Sequence, residues 1–277
     1  MRTQKATSVF VACTAAFLAA CSPVRGGEEP SFSALSYKNL IPNESYSPAT
    51  APLAPGTALD LSGDEPQPGA YFNYQSCTAA WSFTLADART IAVTASHCGK
   101  PGDKVWAGTA DGDFSYPAEP IGEVIYSDFY AEDSHDLDVA FIEITGSADY
   151  YVPGAVDNSV ATSLAHLPLH VCKLGRVTDE TCGTLIHGAA MAQLNSGGLQ
   201  RDSIAARARV CSTNGDSGGP VYGEVEGEQT IVGVVSGTTQ RLEEGHTCQT
   251  TQTDMELSFT LATDIQVLAK EVLGPMA

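Results

Sequence analysis

Beyond Tyr71 the chain is written in short apolar runs, rich in β-branched and aromatic residues, with Gly, Asn, Asp and Pro between them. Residues 79–85, 90–95, 121–126 and 139–144 form a first set, and residues 184–187, 221–223, 230–236 and 258–261 a second. Runs of this length bounded by turn residues predict strands, because a helix needs about ten or more residues at a period near 3.6 to bury a face. One stretch has that period. Ile265, Leu268, Ala269 and Val272 share a helical face behind Thr263 and Asp264, either of which can cap an N-terminus, so a short C-terminal helix is predicted. Asp111-Gly112-Asp113 reads as a hairpin turn between strands, since a calcium site would need more oxygen ligands than the segment offers. No solenoid or propeller period recurs. The pattern predicts an all-β domain.

Composition agrees: 17% charged and 43% hydrophobic residues with 26 Gly and 15 Pro suit a turn-rich β protein better than a helical bundle. Ahead of the patterned region, residues 22–69 shift to Pro, Ser, Ala and Gly, and Pro42, Pro48, Pro52, Pro55, Pro66 and Pro68 interrupt any period. This predicts a flexible linker or pro-segment. At the start, Arg2 and Lys5 precede an uncharged stretch, residues 6–20, too short to span a bilayer. It reads as an export signal. Its end, Leu18-Ala19-Ala20-Cys21, resembles the bacterial lipobox, which implies lipidation of Cys21 and membrane attachment; an ordinary secretory signal is the alternative. The expected organisation is therefore signal peptide 1–20, linker or pro-segment 21–69 and one main domain 70–277, placed outside the cytoplasm, either lipid-anchored or secreted.

Of eight cysteines, Cys13 goes with the signal and Cys21 to lipid, leaving Cys77, Cys98, Cys172, Cys182, Cys211 and Cys248. Six cysteines allow about 15 full pairings, and an oxidising compartment favours disulfides. None shows the paired short spacing of a zinc site, with or without His97. Formal charge is −19 and grows more negative once Arg2 and Lys5 leave with the signal, which excludes nucleic acid as a natural partner. Glu224, Glu226, Glu228, Glu243 and Glu244 read either as a bias toward basic substrates or as solvated faces.

The chemistry lies in three segments. Asn214-Gly215-Asp216-Ser217-Gly218-Gly219-Pro220 surrounds a serine with glycines, whose freedom lets the Gly215 and Ser217 amides converge on one oxyanion. A serine hydroxyl needs a base, and His97 sits at the end of an apolar run in Thr94-Ala95-Ser96-His97-Cys98. The base needs a carboxylate to fix its tautomer. Asp138 opens Val139-Ala140-Phe141-Ile142, and Asp136 is its rival, on the same side by strand alternation.

Together, in the order His, Asp, Ser, these segments resemble the chymotrypsin-like serine proteases; subtilisin-like and α/β-hydrolase orders differ. Val171-Cys172-Lys173 followed by Thr181-Cys182-Gly183-Thr184 is similar to the secreted bacterial branch that includes the streptogrisins. The resemblance covers roughly residues 71–277. It implies two six-stranded antiparallel Greek-key barrels, a His97, Asp138, Ser217 triad, no cofactor or metal, and disulfides Cys77–Cys98, Cys172–Cys182 and Cys211–Cys248. It implies Ser236-Gly237-Thr238 as the segment that binds substrate backbone as an added strand. The family's aspartate pocket floor is absent, because Cys211 stands six residues before Ser217, which leaves Val210 or Arg209 for that place. No Ile-Val-Gly-Gly string precedes Cys77, so Asp216 needs an internal cation, Arg176 or Lys173. The expected activity is peptide-bond hydrolysis by a monomer acting on protein or peptide substrates. A catalytically silent protease-fold module for binding or adhesion is the alternative.

Overall fold

A computed structural model of the chain describes residues 35–36, 53–109, 112–114, 116–196, 198–238, 240, 247–248 and 255–277. The expected signal peptide, Cys21 and all of the linker up to residue 52 except Leu35–Ser36 lie outside the described residues, as do Asp111, Glu243 and Glu244. Strands β1 (Leu35–Ser36), β2 (Ala58–Ser62), β3 (Gln75–Thr78), β4 (Trp81–Thr84), β5 (Thr90–Thr94), β6 (Lys104–Ala107), β7 (Gly122–Ser127), β8 (Ala140–Ile144) and β9 (Tyr151–Val152) come first. β10 (His170–Gly175), β11 (Asp179–Ser196), β12 (Leu199–Arg209), β13 (Pro220–Val225), β14 (Glu228–Thr238) and β15 (Leu257–Leu261) follow, and β15 runs directly into helix α1 (Ala262–Leu273).

β1 pairs with β9 as a separate two-stranded sheet, and the other strands form two antiparallel barrels. In the first, the order is β3-β2-β6-β7-β8-β5-β4. Its two ends, β3 and β4, are one bent strand: the Ala79 amide donates to Thr57 O and the Ala80 amide to Val93 O, each at 2.8 Å. A strand that changes partner midway closes the sheet through the covalent chain, so seven segments make six strands. The second barrel closes by hydrogen bonds alone, in the order β10-β11-β12-β15-β14-β13. Neither order follows the chain, as Greek-key connections require. The all-β fold class expected from the sequence is what the chain adopts.

Each barrel wraps an apolar interior. Leu59, Leu61, Ile91, Phe141 and Ile142 are fully buried in the first, and Val171, Ala206, Ala208, Val232 and Phe259 in the second. At roughly 1.5–3 kcal/mol for each fully buried large side chain, these two interiors are the main source of stability. Strand β5, Thr-Ile-Ala-Val-Thr, reads as a continuous apolar run because four of its five residues are buried.

Two expectations need correction. The fold begins well before residue 70: Leu53 and all of β2 are buried, and β2 pairs with both β3 and β6. Proline and small residues around β2 hid it, and so did Asp60, a charge inside a strand whose partner, Arg176, lies 116 residues on. The helix is not capped by Thr263 or Asp264 either. Leu261 occupies the cap position without a side-chain bond, and Asp264 sits in the first turn, where it complements the helix dipole. The end of β15 sets the helix entry; Ile265, Leu268 and Ala269 are buried as the pattern predicted, Val272 is partly buried against the same interior, and Ala262 is buried as well. Gly112, with φ +77°, lies as expected in a hairpin connection, the long one between the antiparallel neighbours β6 and β7.

Candidate active site

His97 lies in a single 3-10 turn, Ser96–Cys98, that follows β5 at the end of the first barrel. Asp138 stands just ahead of β8, which pairs with β5 through Thr94↔Ala140. Adjacent strand ends therefore bring the two side chains together: His97 Nδ1 lies 2.9 Å from Asp138 Oδ2. The carboxylate is fully buried and its other oxygen accepts from Ser96 Oγ at 2.7 Å and the His97 amide at 3.2 Å. Burial raises the Asp138 pKa, but the imidazole's charge and these hydrogen bonds outweigh it and hold the carboxyl below its ordinary range. Burial likewise pulls His97 down, and the Asp138 charge and hydrogen bond overcome it, leaving the imidazole above the usual histidine value. The side chain keeps 12% of its surface exposed.

Asp136, the rival carboxylate, is turned elsewhere. It takes a left-handed backbone (φ +58°) and its carbonyl accepts the Ile204 amide at 2.6 Å. The loop before Asp138 is shaped by Asp128, a buried carboxylate that accepts Tyr126 Oη at 2.6 Å, Ser134 Oγ at 2.9 Å and the Leu137 amide at 2.9 Å. Asp128 was not singled out in the sequence, where it is one of several acidic residues in a turn.

The serine loop comes from the second barrel and is fastened to the first. Ser217 O accepts the Thr78 amide at 2.8 Å, and the Gly218 amide donates to Val235 O at 2.8 Å. Gly218 has φ +85°, and a Cβ there would stand 2.0 Å from Thr94 Oγ1 and 2.3 Å from Thr78 O. Only glycine allows so close an approach of the loop to the strand end that carries His97. Gly218→Ala is accordingly expected to cost more than about 2 kcal/mol in urea unfolding, from strain and overpacking together. Among the described residues no hydrogen bond joins Ser217 Oγ to His97; such contacts are commonly long in a free enzyme and tighten with substrate. The amides of Asp216, Gly218 and Gly219 are taken by backbone carbonyls, whereas those of Gly215 and Ser217 bond to no described residue. These two donors, without a partner among the described residues, flank Asp216.

Asp216 fixes that loop from inside. Its Oδ1 accepts the Val177 and Thr178 amides at 3.0 and 3.1 Å, and its Oδ2 accepts Thr178 Oγ1 at 2.5 Å, the Thr213 amide at 3.0 Å and Ser212 Oγ at 3.2 Å. The cation is Lys173, whose Nζ lies 3.2 Å from Oδ2 with both side chains fully buried. Arg176, the other candidate, goes to Asp60 and to Leu59 O, bolting the second barrel to strand β2 of the first. Sequence alone left these two cations open because both are three residues apart in one strand-and-turn segment.

Substrate-facing elements fall around this centre. Ser236, Gly237 and Thr238 end β14, and Ser236 Oγ meets Thr260 Oγ1 at 3.3 Å, which in turn donates to Asp138 O at 3.4 Å. The strand expected to bind substrate backbone is thereby tied through Thr260 to the backbone of Asp138. All three disulfides form as the resemblance implied: Cys77–Cys98, Cys172–Cys182 and Cys211–Cys248. His170 approaches Cys172 and Cys182, but both thiols are spent in the disulfide, so no metal site results. Arg209 points to solvent and Val210 is buried in the second interior beside Cys211, so an arginine pocket floor is excluded. Glu224, Glu226 and Glu228 are exposed on the β13–β14 hairpin, a solvated acidic face.

Two antiparallel barrels, a histidine–carboxylate pair at the end of one and a glycine-bound serine loop from the other, define a chymotrypsin-like protease fold. A family model described as Trypsin matches residues 62–253, and the chain belongs to the trypsin family. It is similar to Thermobifida fusca Protease A (22% identity, TM-score 0.52, 81% of this chain and 97% of that one). It is similar as well to a Nocardiopsis protease (20%, 0.50, 78% and 95%). A third likeness is to a glutamic acid-specific serine protease described as using a histidine triad in substrate binding (19%, 0.52, 81% and 100%). At these identities the likeness is one of fold. No curated protein matches the chain in sequence.

Proposed function

We propose that the chain is an exported serine endopeptidase in which Ser217 attacks a peptide carbonyl, His97 accepts and returns the proton, and Asp138 orients His97. The acyl-enzyme formed on Ser217 is released by water, and the Gly215 and Ser217 amides hold the oxyanion of each tetrahedral intermediate. The observation that carries this reading is the 2.9 Å contact of a buried carboxylate with His97 beside a loop presenting two unpaired amides. Membership of the trypsin family supports protein or peptide substrates. The silent-module alternative has as its usual ground a missing triad member, and the sequence carries all three, His97, Asp138 and Ser217.

A fluorophosphonate probe tests it directly. Ser217 in folded protein is expected to be labelled, with loss of labelling in Ser217→Ala and a sharp fall in His97→Ala; unlabelled wild type would end the protease reading. The pH profile is a further check. Only neutral His97 acts as base, and its pKa is raised, so the acidic limb of kcat/KM is expected above pH ~6.5. In Asp138→Asn the raising partner is gone and that limb moves to lower pH, while kcat falls by about 10⁴-fold. Stability runs oppositely. The His97–Asp138 contact is strongest with His97 protonated, so the stability it lends is lost as pH rises through the folded-state pKa.

Export is supported by the three disulfides, which suit an oxidising compartment. Among the described residues no helix is long and apolar enough to cross a membrane. The lipobox-like end of the leader supports attachment through Cys21, and the intact mass of the mature protein tests it: a diacylglyceryl adduct on Cys21 is expected.

A further inference from the structure

We propose that the outer face of strands β10 and β11 holds a latent metal site, in which reduction of the Cys172–Cys182 disulfide lets both thiolates and His170 bind a thiophilic divalent cation, Zn²⁺. The inference does not depend on the protease reading. Antiparallel pairing sets Cys172 directly opposite Cys182 and His170 opposite Thr184. Side chains two apart in a strand share a face, so His170 and Cys172 lie together, while Val171 and Lys173 are buried on the other side. The outer face meets solvent: His170 and Cys182 are exposed and Cys172 is half-buried.

The imidazole and the two sulfurs all lie within 4.8 Å of one another. A tetrahedral zinc with bonds of about 2.0–2.3 Å requires such donors roughly 3.5–3.8 Å apart, a shift that rotation about Cα–Cβ supplies once the sulfurs are free. Backbone pairing from His170↔Thr184 to Gly175↔Asp179 holds the strands in register without the disulfide, so the donors stay together when it opens. A fourth donor stands beside them. Glu180 Oε1 lies 3.9 Å from Cys182 Sγ, and its Oε2 accepts Tyr222 Oη at 2.6 Å, the kind of outer hydrogen bond that orients a ligating carboxylate. Access singles out this disulfide: Cys77, Cys98 and Cys211 are buried and Cys248 is half-buried, whereas Cys182 is open to attack. A dithiol reductant attacks Cys182, releases Cys172 and closes to its own disulfide, passing two electrons and two protons to the protein as two cysteine thiols. Zinc then displaces both thiol protons to solvent and takes the imidazole lone pair. Metal and disulfide are thus alternative clips across one strand pair.

The experiment treats the full-length protein briefly with dithiothreitol, removes the reductant without oxygen, and titrates with Zn²⁺ alone or with Co²⁺, whose thiolate charge-transfer band reports sulfur ligation. Iodoacetamide mapping is expected to mark Cys172 and Cys182 ahead of Cys77, Cys98, Cys211 and Cys248. The reduced chain is expected to bind Zn²⁺ about 10²-fold or more tighter than the oxidised chain, and reduced His170→Ala to lose at least about tenfold of that affinity. Equal affinity in reduced and oxidised protein, or in reduced wild type and His170→Ala, overturns the site. Earlier labelling of the other disulfides overturns its gating. Should the reduced chain lose its circular dichroism, Cys182→His, in which this disulfide cannot form and an imidazole replaces the thiol, is expected to bind Zn²⁺ without reductant. Absence of binding in that variant overturns the proposal.

Discussion

Ser217→Ala is expected to lower kcat for peptide hydrolysis by about 10⁴-fold or more while leaving the unfolding free energy within about 0.5 kcal/mol of wild type. The two halves of that expectation have separate causes. Every bond that positions residue 217 is made by backbone: its carbonyl holds the Thr78 amide, and its neighbour Gly218 holds Val235 O. The hydroxyl bonds to no described residue, so removing it deletes the nucleophile and no structural contact. His97→Ala should cost about as much, and the double variant little more, because nucleophile and base act as one unit. Kinetics on the purified variants with active-site titration of wild type, beside urea unfolding, settle the matter. Retention of more than a tenth of wild-type kcat would assign the chemistry to another residue.

Lys173→Met carries the second large effect, this time on fold and turnover together. The carboxylate of Asp216 would remain fully buried with its hydrogen bonds but without its cation, and breaking one side of a buried pair costs about 3–5 kcal/mol. Five neutral donors already crowd Asp216, so relief comes only by moving the loop that carries residues 215–217. Misplaced oxyanion donors should then lower kcat by a further factor of about 10² or more. Arg176→Met is the control. It removes a buried partner of Asp60 and loosens the junction of the barrels, so stability should fall with kcat largely kept. If Arg176→Met abolishes turnover and Lys173→Met does not, the assignment of the Asp216 cation is wrong.

Much of the centre was readable in the chain itself. A glycine-bound serine, a histidine at a strand end beside a cysteine and an aspartate opening an apolar run each carry local signals, because each needs a particular backbone at that point. Strands β4, β5, β7, β8, β13, β14 and β15 were legible for the same reason, since their apolar runs are uninterrupted and bounded by turns. β2 and β12 were not. Each holds charges or small residues whose partners come from far along the chain, such as Asp60 with Arg176, so neither shows a pattern until the barrels are assembled.

Local order along the chain thus determined the kind of fold, the candidate reactive groups and the class of chemistry proposed for them. Assembly in three dimensions decided what depends on distance. Asp138 rather than Asp136 faces the imidazole, the chain turning at Asp136, which itself takes a left-handed backbone. Lys173 rather than Arg176 reaches Asp216 because the two cations leave the segment toward different barrels. The β11–β12 hairpin has no sequence signature either, since its irregularities are register shifts between two strands, and register is a property of the pair.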